Sequence, residues 1–189
     1  MHLLHVTSIL PTPGKEFIPP EAMYRGRYVH QVTALLDDGK TLADPIHEPW
    51  RGYVEAWERC KRELRIFVLA SEEPVEDKAR GYCGTLDKRV MMYGRRGEGI
   101  LDLKCSGSGA VPPTTGLQIA GYCGESRFWR GAVALMADGS YRFYDDRADT
   151  DLFRTTDWKE FCSRLFVMQM DIRRGWREAP PERKDEQGA

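Results

Sequence analysis

Two carboxylates and an ammonium occur at a spacing that a pair of β-strands would bring together. The first segment is Gly84-Thr85-Leu86-Asp87; the second, after a turn, is Gly99-Ile100-Leu101-Asp102-Leu103-Lys104. Residues two apart on a strand project from the same face, so Asp102 and Lys104 point together. Asp87 lies 15 positions before Asp102, and a hairpin would set the two carboxylates side by side at one end of a sheet. Paired carboxylates are hard oxygen ligands suited to Mg²⁺ or Mn²⁺, and the carbonyl of Leu103 offers one more. Beside them, Lys104 can orient an attacking water, lower its pKa, or offset charge on a phosphorane-like transition state. Asp-x-Lys alone is also common on the solvated face of an amphipathic strand. The apolar neighbours Ile100, Leu101 and Leu103, with Gly81, Gly84 and Gly99 opening the backbone, weigh against that plainer reading.

The elements that must position these groups follow from hydrophobic periodicity and turn signals. Pro19-Pro20 starts a helix that runs to about Asp37 and stops at Asp38-Gly39. A second helix spans about Glu48 to Leu64, with Tyr53, Val54, Trp57, Cys60 and Leu64 on one face. Ile66–Ala70, Tyr82–Met92 and Gly99–Cys105 read as strands, the last two joined through Gly94-Arg95-Arg96-Gly97. A helix from about Thr115 to Gly124 follows, then a hairpin of Phe128–Ala137 and Tyr141–Tyr144 around Asp138-Gly139, then a helix from about Thr156 to Arg173. This order predicts an α/β or α+β domain over residues 1–177 and a disordered Pro- and charge-rich tail over 178–189.

Bulk properties exclude several alternatives. A net charge of −1 gives no global attraction to a polyanion, which counts against a passive nucleic-acid coat but not against a local basic groove. The five cysteines are scattered and contain no CxxC pair, so structural zinc, an iron–sulfur cluster and a disulfide framework are not expected. No secretory signal and no membrane-spanning run is visible, and a reducing, cytoplasmic setting is the expectation. There is no Walker motif, so helicase activity would need another subunit.

Taken together, the motifs resemble the RecB-like branch of the PD-(D/E)xK nucleases, especially small phage and prophage members. The likeness extends from about Thr7 to Arg173. Arg25-Gly26-Arg27-Tyr28-Val29-His30 resembles the branch's helical motif, whose histidine contacts a metal ion. Ser71-Glu72-Glu73-Pro74-Val75 is similar to its Glu-x-x-Val strand and singles out Glu72. Gly81 to Asp87 matches a Gly-aromatic-x-Gly-x-x-Asp motif, Ile100 to Lys104 the Asp-x-Lys motif, and Gln118 to Tyr122 the Gln-x-x-x-Tyr helix bordering the active site.

The resemblance implies a restriction-endonuclease-like core, a central mixed β-sheet flanked by helices. It also implies hydrolysis of DNA phosphodiesters with Mg²⁺ or Mn²⁺. Asp87, Asp102, the Leu103 carbonyl and His30 would bind metal; Lys104 would serve the water and transition state; Glu72 and Gln118 would support the site. Without that motif, His30 would read as an ordinary helix residue, and Glu72 and Glu73 as alternatives of which one strand face admits only one. Tyr122 fits either packing against the sheet or the site. Arg25 and Arg27 fit either a DNA phosphate or a solvated helix face. Arg95 and Arg96, in the turn, are candidates for the DNA backbone.

Such a compact chain is similar to phage-type exonucleases that act on double-stranded ends in recombination, often beside a single-strand annealing protein in the bacterial host. A structure-selective or nicking endonuclease, and a silent DNA- or protein-binding module of the same fold, are the alternatives. A ring-shaped homo-oligomer or a monomer with a groove would hold the DNA. Trp50, Trp57, Trp129, Trp158 and Trp176 are more tryptophans than one small core readily hides, which favours an interface.

Overall fold

A computed structural model describes residues 3–11 and 19–180. The part of the expected tail from 181 to 189 lies outside these residues, as does His2. The elements, in order, are β1 (Leu4–His5), α1 (Val6–Ile9), α2 (Pro20–Asp37), a 3₁₀ turn (Glu48–Trp50), α3 (Arg51–Leu64), β2 (Ile66–Asp77), β3 (Tyr82–Met92), β4 (Gly99–Cys105), α4 (Thr115–Cys123), β5 (Trp129–Leu135), β6 (Tyr141–Asp145) and α5 (Asp157–Arg173).

The six strands make one mixed sheet flanked by helices, as expected for a restriction-endonuclease-like core. The order is β1-β3-β4-β5-β6, with β2 along the other edge of β3. β3 runs antiparallel to β2 and β4 and parallel to β1; β4 and β5 are parallel; β5 and β6 form the Asp138-Gly139 hairpin. β1 and α1 were not anticipated. Two residues are too few to show alternation, and β1 exists because Leu4 and His5 find Tyr82 and Cys83 as partners.

Each face of the sheet carries its own core. α1, α4 and α5 pack over Tyr82, Leu86, Ile100 and Ala132 through Val6, Ile119, Phe161 and Leu165. α2 and α3 pack over Val90, Leu101, Leu103 and Val133 through Val29, Tyr53, Trp57 and Cys60. Tyr53, Val54, Trp57 and Cys60 recur at helical spacing and are all buried, so α3 presents one apolar stripe. β4, covered on both sides, is buried from Gly99 to Leu103, which explains its nearly continuous apolar run.

Two glycines of α4 sit where the loop before α5, and α5 itself, approach closely. A β-carbon at Gly116 would lie 1.9 Å from the Leu152 carbonyl oxygen, and one at Gly121 would lie 2.7 Å from the Phe161 ring.

The tryptophans are not one exposed set. Trp57 and Trp129 are core residues, Trp158 stacks on Phe161, and Trp50 joins Tyr24, Tyr28 and His47; Trp176 is the strongly exposed one. Among the described residues, no helix is long and apolar enough to cross a membrane.

Candidate active site

β3 pairs with β4 only over Lys88↔Leu101, Arg89↔Ile100 and Val90↔Gly99. Extending that register places Asp87 opposite Asp102, but there the ladder stops and the strands part. The Asp87 side chain takes over from the backbone: its Oδ2 accepts the buried Leu103 N–H at 2.7 Å. The site is thus a fork in the middle of the sheet, not an end of it.

The same row is irregular on the other side. On β2, Ser71 pairs with Lys88 and Glu73 with Leu86, leaving Glu72 and Asp87 between the pairs. Glu72 has φ 50°, a left-handed conformation that costs an L-residue roughly 1–2 kcal/mol. Side chains change faces at this row: Leu86 lies in the core under α5, whereas Val90, at the same parity, lies in the core under α3. The kink turns Glu72 toward α2.

There it meets His30. The imidazole Nδ1 is 3.4 Å from Glu72 Oε1 and 3.5 Å from Asp87 Oδ1, while Nε2 lies 3.0 Å from the Leu103 carbonyl oxygen. A carbonyl only accepts, so Nε2 carries the proton and Nδ1 faces the carboxylates. A backbone contact of this kind is how metal-ligating histidines are commonly oriented. Burial alone would lower the pKa of His30, but Asp87 and hydrogen-bonded Glu72 outweigh it and push it up to about 9. In this form the ring is an imidazolium between two carboxylates.

Asp102 and Lys104 project together on the neighbouring strand. Lys104 Nζ donates to Asp102 Oδ1 at 2.9 Å and to Gln118 Oε1 at 3.4 Å; Gln118 Nε2 in turn donates to the Tyr122 hydroxyl at 3.1 Å. Burial pushes the Asp102 carboxyl up to about 6 in spite of Lys104. For Lys104, burial alone would lower the pKa, but Asp102 and Asp87 together raise it, so the side chain is an ammonium at neutral pH. Burial raises Tyr122 well above the usual phenol range. The Tyr122 ring packs on Gly84, where a β-carbon would lie 2.7 Å from the ring, and its hydroxyl accepts the hydrogen bond from Gln118 Nε2.

The donor set fits a hard divalent cation. His30, Glu72 and Asp87 each offer a ligand atom, and these atoms lie within 4.8 Å of one another. Glu72 Oε1 and Asp102 Oδ2 are buried with only the cationic contacts of His30 and Lys104, which leaves lone pairs open although buried carboxylate oxygens are ordinarily satisfied. Glu72, expected as a supporting residue, stands in the cluster itself. Asp102, expected as a ligand, is turned to Lys104, and the Leu103 carbonyl, also expected as a ligand, holds the His30 ring.

The basic candidates divide. Arg25 lies on α2 over the Tyr53 ring and reaches Cys105, the residue after Lys104. Arg27 is exposed on the same helix, and Arg96 is exposed in the β3–β4 turn. Arg95 does not present itself to solvent: it is ion-paired to Asp145 at 2.6 Å and Asp146 at 2.9 Å and lies over Trp129. A turn position suggested exposure, but acidic residues at the end of β6 capture the guanidinium. The turn also lies at the far end of the hairpin, about 17 Å along β3 from Asp87 at ~3.4 Å per residue.

Sequence reasoning missed Lys88. It is fully buried on β3 and ion-paired to Asp37 at 2.7 Å. The signal was present, because Leu86-x-Lys88-x-Val90 puts a charge at an apolar strand position.

No protein-family model matches the chain, and neither does any curated protein. Among solved structures the chain is similar to an alkaline exonuclease from Laribacter hongkongensis, with 13% sequence identity and a TM-score of 0.43, over 92% of this chain and 93% of that one.

Proposed function

We propose that this chain is a divalent-metal-dependent deoxyribonuclease that hydrolyses phosphodiester bonds from double-stranded DNA ends. The observation that carries the reading is the meeting of His30, Glu72 and Asp87 beside the Asp102–Lys104 pair. His30 Nδ1, Glu72 Oε1 and Asp87 Oδ1 would hold Mg²⁺ or Mn²⁺. Such an ion supplies Lewis-acid polarisation of a phosphodiester oxygen.

The chain's own residues do the rest. Asp87 and His30 hold the backbone of Leu103 on both sides of its α-carbon, through its N–H and its C=O. Lys104 follows directly and is fixed between Asp102 and Gln118. As a cation it donates rather than accepts a proton, so its roles are to orient the attacking water and to offset negative charge on phosphorus, not to act as general base. Tyr122 keeps Gln118 aimed at Lys104. Arg25, Arg27 and Arg96 are the candidates for the DNA backbone. The setting suggested by the motifs is phage-type recombination in a bacterial cytoplasm, beside a single-strand annealing protein.

Digestion of end-labelled linear duplex and of covalently closed circles, with Mg²⁺, Mn²⁺ or EDTA, tests the reading. Metal-dependent loss of linear DNA with intact circles is expected. Nicked circles would favour a structure-selective or nicking endonuclease. A folded protein that cleaves neither substrate with either metal would overturn the proposal. Light scattering with and without duplex separates a ring from a monomer.

A further inference from the structure

On the side of the sheet facing α2 and α3, a second set of side chains from α2, β2 and β3 meets beside the candidate metal site. Lys88 Nζ lies 2.7 Å from Asp37 Oδ2 and 3.0 Å from Ser71 Oγ. Ser71 Oγ reaches Asp37 Oδ2 at 3.4 Å, and the Trp57 indole N–H donates to the same carboxylate at 3.1 and 3.2 Å. Lys61 approaches Asp37 from the solvent side. The side chains of Lys88 and Asp37 are 0% and 1% exposed.

Each member sits next to a residue of the candidate site. Ser71 precedes Glu72, and Lys88 follows Asp87. Asp37 is seven residues after His30 on α2, two turns along the same helical face. Lys88 is joined directly to Asp87, so tying Lys88 to α2 and β2 fixes the backbone from which the Asp87 side chain departs. Fixing Ser71 likewise anchors the approach to Glu72, whose left-handed backbone persists only if its surroundings hold it.

Stability alone does not account for this arrangement. A buried ion pair gains little over well-packed apolar residues of similar volume, because both charges must be desolvated. What the pair provides is direction, since three elements are tied at one ammonium with three donors.

The geometry points to Lys88, Asp37 and Ser71 as a buried clamp whose role is to position His30, Glu72 and Asp87 for a divalent cation. This rests on the metal-binding reading of that cluster. The three are positioning residues, because none of them reaches the cluster's ligand atoms.

The test is Mn²⁺ titration by calorimetry on the full chain, without DNA. Lys88→Met should weaken Mn²⁺ binding by about tenfold or more, the scale seen when groups that orient metal ligands are removed. Val90→Ala, on the same strand and in the core under α3, is the control for lost stability and should leave the affinity unchanged. Lys88→Met combined with Asp37→Asn should bind no more weakly than Lys88→Met alone, as for residues acting as one unit. Parent-like affinity in Lys88→Met, or equal weakening in Val90→Ala, would overturn the clamp. If Lys88→Met does not fold, Ser71→Ala removes one bond from the same clamp. It should weaken binding about threefold, the equivalent of a single hydrogen bond, and unchanged affinity would again overturn the inference. A folded parent chain that binds no Mn²⁺ would overturn the metal-binding reading itself, and the clamp with it.

Discussion

Glu72 joins backbone strain to a candidate ligand, and two substitutions separate the two. Glu72→Ala removes the carboxylate and keeps a β-carbon at φ 50°; Glu72→Gly removes both. The left-handed conformation costs an L-residue roughly 1–2 kcal/mol, and glycine escapes that cost. Glycine also gains freedom in the unfolded chain, which costs it about 0.4–1 kcal/mol relative to alanine. The midpoints of these ranges leave Glu72→Gly more stable than Glu72→Ala by about 0.8 kcal/mol. At roughly 2–4 °C per kcal/mol for a chain of this size, the glycine variant should melt about 2 °C higher. Loss of the side chain's charge toward His30 is common to both variants and cancels in the comparison. Calorimetric melting and denaturant midpoints at unchanged m-value read the difference. DNA hydrolysis by both should fall at least about a hundredfold, the scale of losing a charged group from the reacting centre. An alanine variant as stable as the glycine variant would show that Glu72 is not held in a strained conformation, and would refute the kink argued for β2. A glycine variant with parent activity would refute the ligand role.

Lys104→Met should reduce DNA hydrolysis at least about a hundredfold and raise the Asp102 pKa further, because the carboxylate loses its cation; hydrolysis assays and carboxyl NMR titration check the two effects. The His30 ring should titrate near 9 without metal. Because its folded pKa is raised above the unfolded value, the stabilisation, up to about 3 kcal/mol from the shift, should be full below pH ~6.5 and disappear as pH rises through 9. A His30→Gln chain whose stability shows the parent's pH dependence over that window would contradict this. Gly84→Ala would force a methyl group against Tyr122 and Val6. It should cost about 1–3 kcal/mol, read by denaturant unfolding, and lower DNA hydrolysis by displacing Gln118.

The parts of this fold that could be read in advance were those with local causes. α3 and α5 announce themselves by period and end signals, and the β5–β6 hairpin by Asp138-Gly139. The Asp102–Lys104 pair follows from strand alternation alone. The choice between Glu72 and Glu73 does not. Alternation says only that they diverge, whereas the kink sends Glu72 to His30 and leaves Glu73 to Arg89 at 2.7 Å. The lower half of β2 was hidden by Pro74 and four acidic residues, Glu72, Glu73, Glu76 and Asp77, a composition tolerated because, among the described residues, β2 has a strand neighbour only on its β3 side. Arg95 and Lys88 were misjudged or missed for one reason: their partners, Asp145 with Asp146 and Asp37, are 50 or more residues distant along the chain.

The bond from the Leu103 amide to Asp87 has a spectroscopic consequence. In most of the sheet a backbone proton reports on another backbone, but this one is shared with a side-chain oxygen of the candidate centre, at 2.7 Å. Any event that draws electron density from Asp87, whether protonation or coordination, must weaken that bond and move the amide resonance upfield. The carbonyl carbon of the same residue faces His30 and responds to the state of the imidazole. A chain labelled with ¹³C and ¹⁵N at Leu103 therefore carries two independent probes of its own chemistry, readable without substrate and without altering a single side chain.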